Sequence, residues 1–254
     1  MSAPKVRVFE SADLVAASVA DHIVDAAQEA VASRGVFHLC TTGGSTPAAI
    51  YRALRDPSRS DRMPWSATQI WFGDDRFVAR TDPLSNVVAL DLNLLATSAD
   101  GTTSPLSPQA VHPWPTSAPT APEAVGSYLE ELRAAGVPQT SDGFPVFDLV
   151  LIGIGGDGHC LSVFPGSPLA EAGAAVAADV PAPTHIEPHV PRLTFSLGIL
   201  AHARAVFAIA PGAGKAEALA RIFRPDTSVA SAPAKAAMIA TATWFLDTAS
   251  AALL

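Results

Sequence analysis

His159 is the clearest candidate for a catalytic side chain in this sequence of 254 residues. It follows an apolar run, residues 147–154, and a cluster of four glycines. Ligands of open α/β sheets bind beyond the carboxyl ends of the strands, where such a histidine would lie. An isolated histidine is more often structural, but this position suits general acid–base chemistry. We therefore interpret His159 as a functional residue.

The same segment does not predict a dinucleotide site, although Gly153, Gly155 and Gly158 match the GxGxxG pattern. Dinucleotide binding needs a helix whose N-terminus receives the pyrophosphate. The sequence that follows His159 reaches Pro165 and Gly166 before a long helix can form. We expect no cofactor.

A loop after another predicted strand has the features of a phosphate site. Residues 41–47 read TTGGSTP and precede a helix expected to begin near Pro47. Glycines let backbone N–H groups approach an oxyanion, hydroxyls can donate, and a helix N-terminus favours negative charge. An ordinary glycine-rich turn explains the same residues, and both interpretations stay open here. The candidate ligands are Gly43, Gly44, Ser45 and Thr46.

Lys215 lies in a second glycine-containing loop, residues 211–216, which also follows a strand and opens a helix. A cation at the start of a helix opposes the helix dipole, and a bound anion would remove that conflict. The alternative is an ordinary exposed lysine. The loop lacks the full spacing of a nucleotide P-loop.

Charged residues also end a third predicted strand, where Asp74, Asp75 and Arg76 follow one another. They form either a solvated turn with an ion pair or part of a site at the strand ends. Arg192 follows a loop rich in proline and histidine, and its guanidinium either binds a phosphate or faces solvent.

Alternating strand and helix patterns predict a parallel sheet. Strands are predicted at residues 6–9, 36–40, 69–72, 147–154, 205–210 and 238–245. Helices are predicted from Ser11, as the cap, to Gly35, from near Pro47, at 87–95, at 123–135, and from the loop at Gly212 to Phe223. Residues 97–122 are rich in Pro, Ser and Thr and predict a long surface excursion with a short strand near His112 and Trp114.

Composition and charge argue against several classes of binding partner. The formal charge is −8 with no basic run, which argues against a nucleic-acid partner. Cys40 and Cys160 form no paired metal motif or disulfide framework, so we expect a cytosolic protein without a metal. The apolar stretches are too short to span a bilayer, and no membrane association is expected.

Six segments occur in the order typical of one family. They are GGSTP, WFGDDR with a trailing SN, FDLVLIGIGGDGH with SVFPGSP, PRLT, GAGKAEAL and TWFLD. Together they resemble the family of 6-phosphogluconolactonases and glucosamine-6-phosphate deaminases. The resemblance implies one α/β domain over residues 1–254, with the modified Rossmann-like, mainly parallel sheet of sugar-phosphate isomerases flanked by helices. It also implies a hydrolase of 6-phospho-D-glucono-1,5-lactone in the oxidative pentose phosphate pathway, with no obligate protein partner.

The resemblance also implies residue roles. His159 corresponds to the lactonases' general base, and Asp74 and Arg76 to polar active-site residues. Phosphate-loop positions are matched by Gly43, Gly44, Ser45, Thr46 and Lys215. Arg192 matches the arginine of the lactonases' proline-arginine segment. The chain departs from the family at Gly156, usually acidic or bulkier, at Cys160-Leu161, usually Thr-Ala, and at Asp75, usually Glu.

The expected mechanism is metal-independent. His159 would take a proton from water, Arg76 or glycine-loop N–H groups would stabilise the oxyanion, and Asp74 would orient His159 or Arg76. One alternative is a glucosamine-6-phosphate deaminase or isomerase, although deaminases usually carry an aromatic residue at the position of Arg76. Another is a non-catalytic phosphosugar sensor, but no DNA-binding segment is visible.

Overall fold

The computed structural model describes residues 3–97, 101–171 and 173–254. Among these residues, seven strands form one sheet in which every neighbouring pair is parallel. Its strands, in spatial order, are β1 (Lys5–Phe9), β10 (Ala242–Asp247), β9 (Val206–Ile209), β6 (Leu149–Gly153), β2 (Phe37–Thr41), β3 (Thr68–Phe72) and β5 (Val111–His112). The predicted fold class is confirmed.

The α-helices of the described residues connect these strands. They are α1 (Ala12–Arg34), α2 (Ser45–Leu54), α3 (Pro57–Ser60), α4 (Val87–Leu90), α5 (Ala121–Ala134), α6 (Gly198–His202) and α7 (Ala216–Phe223). A π-helical turn over Asp91–Leu95 continues α4. No helix of the described residues is long and apolar enough to cross a membrane.

Helix α1 shows why the sequence pattern predicted its ends well. The Ser11 side chain accepts a hydrogen bond from the Leu14 N–H, and Gly35 ends the helix in the left-handed conformation with φ +78°. Val15, Val19 and Ile23 are fully buried and lie on one face because they are four residues apart. Burying each such side chain contributes about 1.5–3 kcal/mol.

The order of the strands creates a binding crevice. From β2 the chain moves to β3 and β5 on one side, whereas from β6 it moves to β9 and β10 on the other. The direction reverses between the adjacent strands β2 and β6. Loops at the carboxyl ends of strands diverge at such a point, and ligands of open α/β sheets bind there.

A second, antiparallel sheet was not predicted. It consists of β4 (Asp74–Arg76), β8 (Arg192–Phe195) and β7 (Ala177–Val180), in that spatial order. The Phe195 N–H donates to the Gly73 carbonyl (3.0 Å), which fixes this sheet to the end of β3. Residues 74–76 and 192 are therefore strand residues, where the sequence pattern indicated turns and loops.

Other boundaries differ by a few residues. The last strand begins at Ala242 rather than at residue 238, because Pro233–Ala237 form a 3-10 helix and the chain turns before entering the sheet. The short strand predicted near His112 is confirmed as β5, whereas residues 98–100 of the predicted excursion lie outside the described residues.

Candidate active site

A cleft of about 390 Å³ opens at the crevice between β2 and β6. It is lined by every residue that the sequence analysis selected for a site, namely Gly43, Gly44, Ser45, Thr46, Asp74, Arg76, His159, Arg192 and Lys215. Further lining comes from Asn86, Phe164, Ile186 and Glu187. The sequence-selected residues therefore lie together, while their chemical roles stay predictions.

His159 is held by a tight turn after β6. The Gly158 N–H donates to the Gly155 carbonyl (3.0 Å), and the Gly155 N–H donates to the His159 carbonyl (2.8 Å). Gly158 adopts φ +85°, a conformation that glycine takes without steric cost. The turn brings His159 into the lining of the cleft, with about one fifth of its side chain exposed.

Asp157 orients this imidazole. Its Oδ1 lies 2.5 Å from His159 Nδ1 and also accepts the backbone N–H of His159 (3.1 Å). A carboxylate accepts hydrogen bonds, so Nδ1 carries the proton and Nε2 keeps its lone pair. In the described part of the chain, no hydrogen bond engages Nε2. His159 therefore has the tautomer that a general base requires.

The charge of Asp157 is well stabilised. Burial alone would raise the pKa of its carboxyl, but the hydrogen bonds and charge of His159, with a further bond from His185, hold it below the usual value. Asp157 is thus a carboxylate throughout the neutral range. The expectation that Asp74 orients His159 is wrong, since Asp157 makes that contact.

Asp74 has a different set of partners. Its Oδ2 accepts the Ser162 hydroxyl (2.6 Å), and Asn86 Nδ2 donates to its backbone carbonyl (2.8 Å) and more weakly to Oδ1 (3.4 Å). Asp74 is buried but still lines the cleft. Orientation of Arg76 by Asp74 is not observed either, because the hydrogen bond of that guanidinium goes from Nη1 to the Leu84 carbonyl (2.5 Å).

Asp75 shapes the wall of the site from behind. Its Oδ1 accepts the N–H groups of Arg76 and Asn86, both at 2.7 Å, and its Oδ2 accepts the Ser85 hydroxyl (3.0 Å). Burial, with a smaller contribution from the charge of Asp74, raises the pKa of Asp75 to about 6 despite these hydrogen bonds. This carboxyl fixes Asn86 against β4.

Two arginines face each other across the antiparallel sheet. Arg76 and Arg192 are direct partners in the register of β4 and β8, and both line the cleft. Burial and then the nearby Arg76 lower the pKa of Arg192, while Asp74 and Asp75 act in the opposite direction. Like charges directly opposite each other destabilise a sheet, so a bound anion would relieve this pair.

The two guanidinium groups differ in which of their N–H donors already have a hydrogen-bond partner. Arg76 Nε is buried without a hydrogen-bond partner among the described residues. Arg192 donates from Nε to the Val190 carbonyl (3.2 Å) and from Nη2 to the Pro188 carbonyl (2.9 Å). Arg192 therefore holds the preceding loop in place as well as lining the cleft, whereas Arg76 has an unused donor.

The glycine loops also line the cleft. A Cβ added at Gly43 would lie 2.0 Å from Asn86 Oδ1, so only glycine fits there. Gly44 precedes α2 with φ +102° and provides no side-chain cap, which leaves the first N–H groups of the helix available to an anion. Lys215 reaches the same cleft from a 3-10 turn that precedes α7.

Sequence analysis did not select Asp157, Ser162 or His185, which bond to residues of the site. Asp157 lies two positions before His159, a spacing that lets a carboxylate reach the backbone and ring of the histidine, and this signal was available. Ser162 and His185 meet Asp74 and Asp157 only through the tertiary fold. Among the described residues, no group of three or more His, Cys, Asp or Glu side chains could hold a metal ion.

Comparison with known proteins agrees with this arrangement. A family model described as glucosamine-6-phosphate isomerases/6-phosphogluconolactonase matches residues 10–245. The chain belongs to this family. The 6-phosphogluconolactonase of Streptomyces coelicolor is 30% identical to it over 99% of this chain and 95% of the relative. That of Synechocystis is 31% identical over 92% and 90% of the two chains.

Structural similarity extends over the whole chain. The 6-phosphogluconolactonase of Trypanosoma brucei superposes with a TM-score of 0.83 at 27% identity and covers 100% of both chains. The resemblance inferred from the six sequence segments is therefore confirmed for this member of the glucosamine-6-phosphate isomerase/6-phosphogluconolactonase family.

The departures from the family pattern can now be placed. At Gly156 an added Cβ would have the Gly214 carbonyl oxygen, 3.9 Å away, as its nearest atom, so the site has room for the larger residues usual in the family. Leu161 packs so closely on Gly73 that a Cβ there would lie 2.6 Å from it. Burial raises the pKa of the Cys160 thiol, and the charge of Asp74 raises it further, so Cys160 is protonated rather than nucleophilic.

Proposed function

We propose that this chain hydrolyses 6-phosphogluconolactone to 6-phosphogluconate, with His159 as the general base. The observation that carries the proposal is the Asp157–His159 pair, whose free Nε2 shares one cleft with Arg76, Lys215 and the Gly43–Gly44 loop. Family membership supports the same activity, since the two curated relatives described above are named 6-phosphogluconolactonases.

The reaction needs a base, an oxyanion site and an anchor. His159 Nε2 takes a proton from water, and the resulting hydroxide attacks the lactone carbonyl carbon. The C–O bond to the ring oxygen then breaks, and that oxygen receives the proton from His159. Each protein group returns to its starting state, so no covalent intermediate is required. A positioned general base contributes about 10²- to 10⁴-fold.

Arg76 is the best placed donor for the oxyanion. Its buried Nε has no hydrogen-bond partner among the described residues, and the like charge of Arg192 lies opposite it in the strand pair. Negative charge that develops on the carbonyl oxygen would accept a hydrogen bond from Arg76 and reduce its repulsion from Arg192. One such donor contributes roughly 3 kcal/mol to the stability of the transition state.

The phosphate end of the substrate binds Lys215 and the loop of Gly43, Gly44, Ser45 and Thr46. An anion there accepts the free N–H groups of α2 and offsets the charge of Lys215. Charge-assisted bonds of this kind contribute about 1.5–3 kcal/mol each, and they position the lactone without taking part in its chemistry.

We also propose that the enzyme acts in the cytosol. Cys40 and Cys160 are both free and buried thiols. Such thiols persist in a reducing compartment.

The test is hydrolysis of freshly generated 6-phosphogluconolactone, followed by proton release against the spontaneous background. Wild type should exceed the background strongly, and His159→Ala should lose roughly 10²-fold or more in kcat with little change in KM. His202→Ala, outside the cleft, is the matched control. Turnover no faster than background, or release of ammonia from glucosamine 6-phosphate, would overturn the proposal in favour of a sensor or a deaminase.

A further inference from the structure

Asp157 is shared by two imidazoles. Its Oδ1 bonds to His159, while its Oδ2 lies 3.2 Å from Nε2 of His185. His185 comes from the loop of residues 181–191, and its side chain is about half exposed, at 51%. The same loop contributes Ile186 and Glu187 to the lining of the cleft.

A phenylalanine reinforces this arrangement. The ring of Phe164 lies 4.9 Å from the His159 ring and 5.4 Å from the His185 ring, in the second case edge to face. The two imidazoles are thus linked through one carboxylate and packed on one aromatic ring. Nothing in the mechanism above uses His185.

We propose that His185 is a positioning residue whose protonation state controls how readily His159 accepts a proton. This inference rests on the proposed role of His159 as the base. His185 fixes the second oxygen of Asp157, so the carboxylate cannot rotate away from His159 Nδ1. Because His185 is exposed, it also exchanges protons with the solvent, and its charge then acts on Asp157 and His159.

The direction of the effect follows from charge. Imidazole changes charge between about pH 5 and 8, and two imidazoles on one carboxylate titrate as a coupled pair. A protonated His185 neutralises part of the charge of Asp157, so a second proton on His159 becomes less favourable. His159 therefore remains a base at lower pH than it would beside Asp157 alone.

In the described residues, the charged groups near His185 come from the turn after β6, from its own loop and from α7. Asp157 and His159 face it from the turn after β6, and Glu187 lies two residues along its own loop. Arg221 of α7 donates to the Asp157 carbonyl and adds a fixed positive charge. Of these residue types, histidine is the one whose charge changes in the neutral range, so the coupling can be isolated by changing one histidine.

The experiment is the pH profile of kcat/KM for lactone hydrolysis in wild type, His185→Ala and His185→Gln. Both substitutions should move the acid limb to higher pH by about half a pH unit, since both remove the charge. The alanine should also lower the plateau of kcat by about fivefold, the loss expected for one hydrogen bond, and glutamine should restore part of it. His189→Gln is the control, because the hydrogen bond of His189 Nδ1 in the described residues stays within the loop, to the Pro183 carbonyl.

A readout without turnover separates this proposal from the proposed function. NMR titration of the His159 ring, assigned with His159→Ala, should show its midpoint about half a pH unit higher in His185→Gln than in wild type. An unmoved midpoint and acid limb in an active enzyme would overturn the inference alone. A shifted midpoint in a chain without lactonase activity would support the coupling and overturn the proposed function.

Discussion

Adjacent glycines in the turn before His159 provide a sharp test of the site. A Cβ added at Gly155 would lie 2.0 Å from His159 Nδ1 and 2.7 Å from Asp157 Oδ1. A Cβ added at Gly156 would meet nothing closer than the Gly214 carbonyl oxygen at 3.9 Å. Gly155→Ala and Gly156→Ala therefore make the same chemical change one residue apart, with opposite consequences for the imidazole.

The size of the effect follows from the displacement. Ordinary contact with a Cβ begins near 3.4 Å. In Gly155→Ala, His159 Nδ1 must therefore move away from the new Cβ by about 1.4 Å. A misplacement of about 1 Å in a catalytic group can cost about 10²-fold in rate. Neither glycine has a positive φ, so backbone strain does not contribute. We expect kcat to fall roughly 100-fold in Gly155→Ala and less than about threefold in Gly156→Ala.

The assay is proton release from fresh lactone, with thermal unfolding measured on the same preparations. KM should change little in either variant, because the phosphate loops are untouched. If Gly155→Ala kept most of its kcat, His159 would not need its observed position and could not be the base. Equal losses in both variants would show that the turn, rather than the imidazole, had been disturbed.

Two further predictions concern the surrounding charges. The raised pKa of Asp75, about 6 against an ordinary 3.8, means that the folded protein favours the protonated carboxyl. The contribution of Asp75 to the free energy of unfolding is therefore fully present below about pH 4. It is lost as the pH rises through 6, and the loss reaches roughly 3 kcal/mol. Asp75→Asn should remove that decline, measured by urea unfolding at about pH 4 and about pH 8; an unchanged pH dependence would contradict the burial argument. Lys215→Ala should raise KM roughly 10- to 100-fold with kcat nearly constant in steady-state assays, and a loss confined to kcat would place Lys215 at the reacting carbonyl instead.

The parallel sheet could be predicted because its signals are local. The apolar side chains of strand β6, Leu149 to Ile152, are buried, and the cap at Ser11 and the glycine at Gly35 determine the ends of a helix by their own chemistry. The alternation of strands and helices also predicts that the site residues lie together, since the carboxyl ends of parallel strands are at the same edge of the sheet. These inferences needed no knowledge of long-range contacts.

The small antiparallel sheet could not be predicted in this way. Its strand β4 is only three residues long and consists of Asp74, Asp75 and Arg76, a composition typical of turns. Its partner β8 is more than 100 residues later in the chain, so the pairing depends on the tertiary fold rather than on local sequence. The contact between Ser162 and Asp74 has the same origin, because these two residues meet only after the sheets are assembled.

The structure also explains how a chain with a formal charge of −8 can bind an anion. Arg76 and Arg192 are forced together by the register of β4 and β8, and a buried donor without a partner costs about 1–3 kcal/mol. We expect that cost to disappear when the proposed anionic substrate enters the cleft. Asp74 does not bond to Arg76 Nε, since its carboxylate oxygens accept from Ser162 and Asn86 instead. Under the proposed mechanism the cleft would be preorganised for charge that develops during the reaction, which is the condition under which binding energy accelerates catalysis.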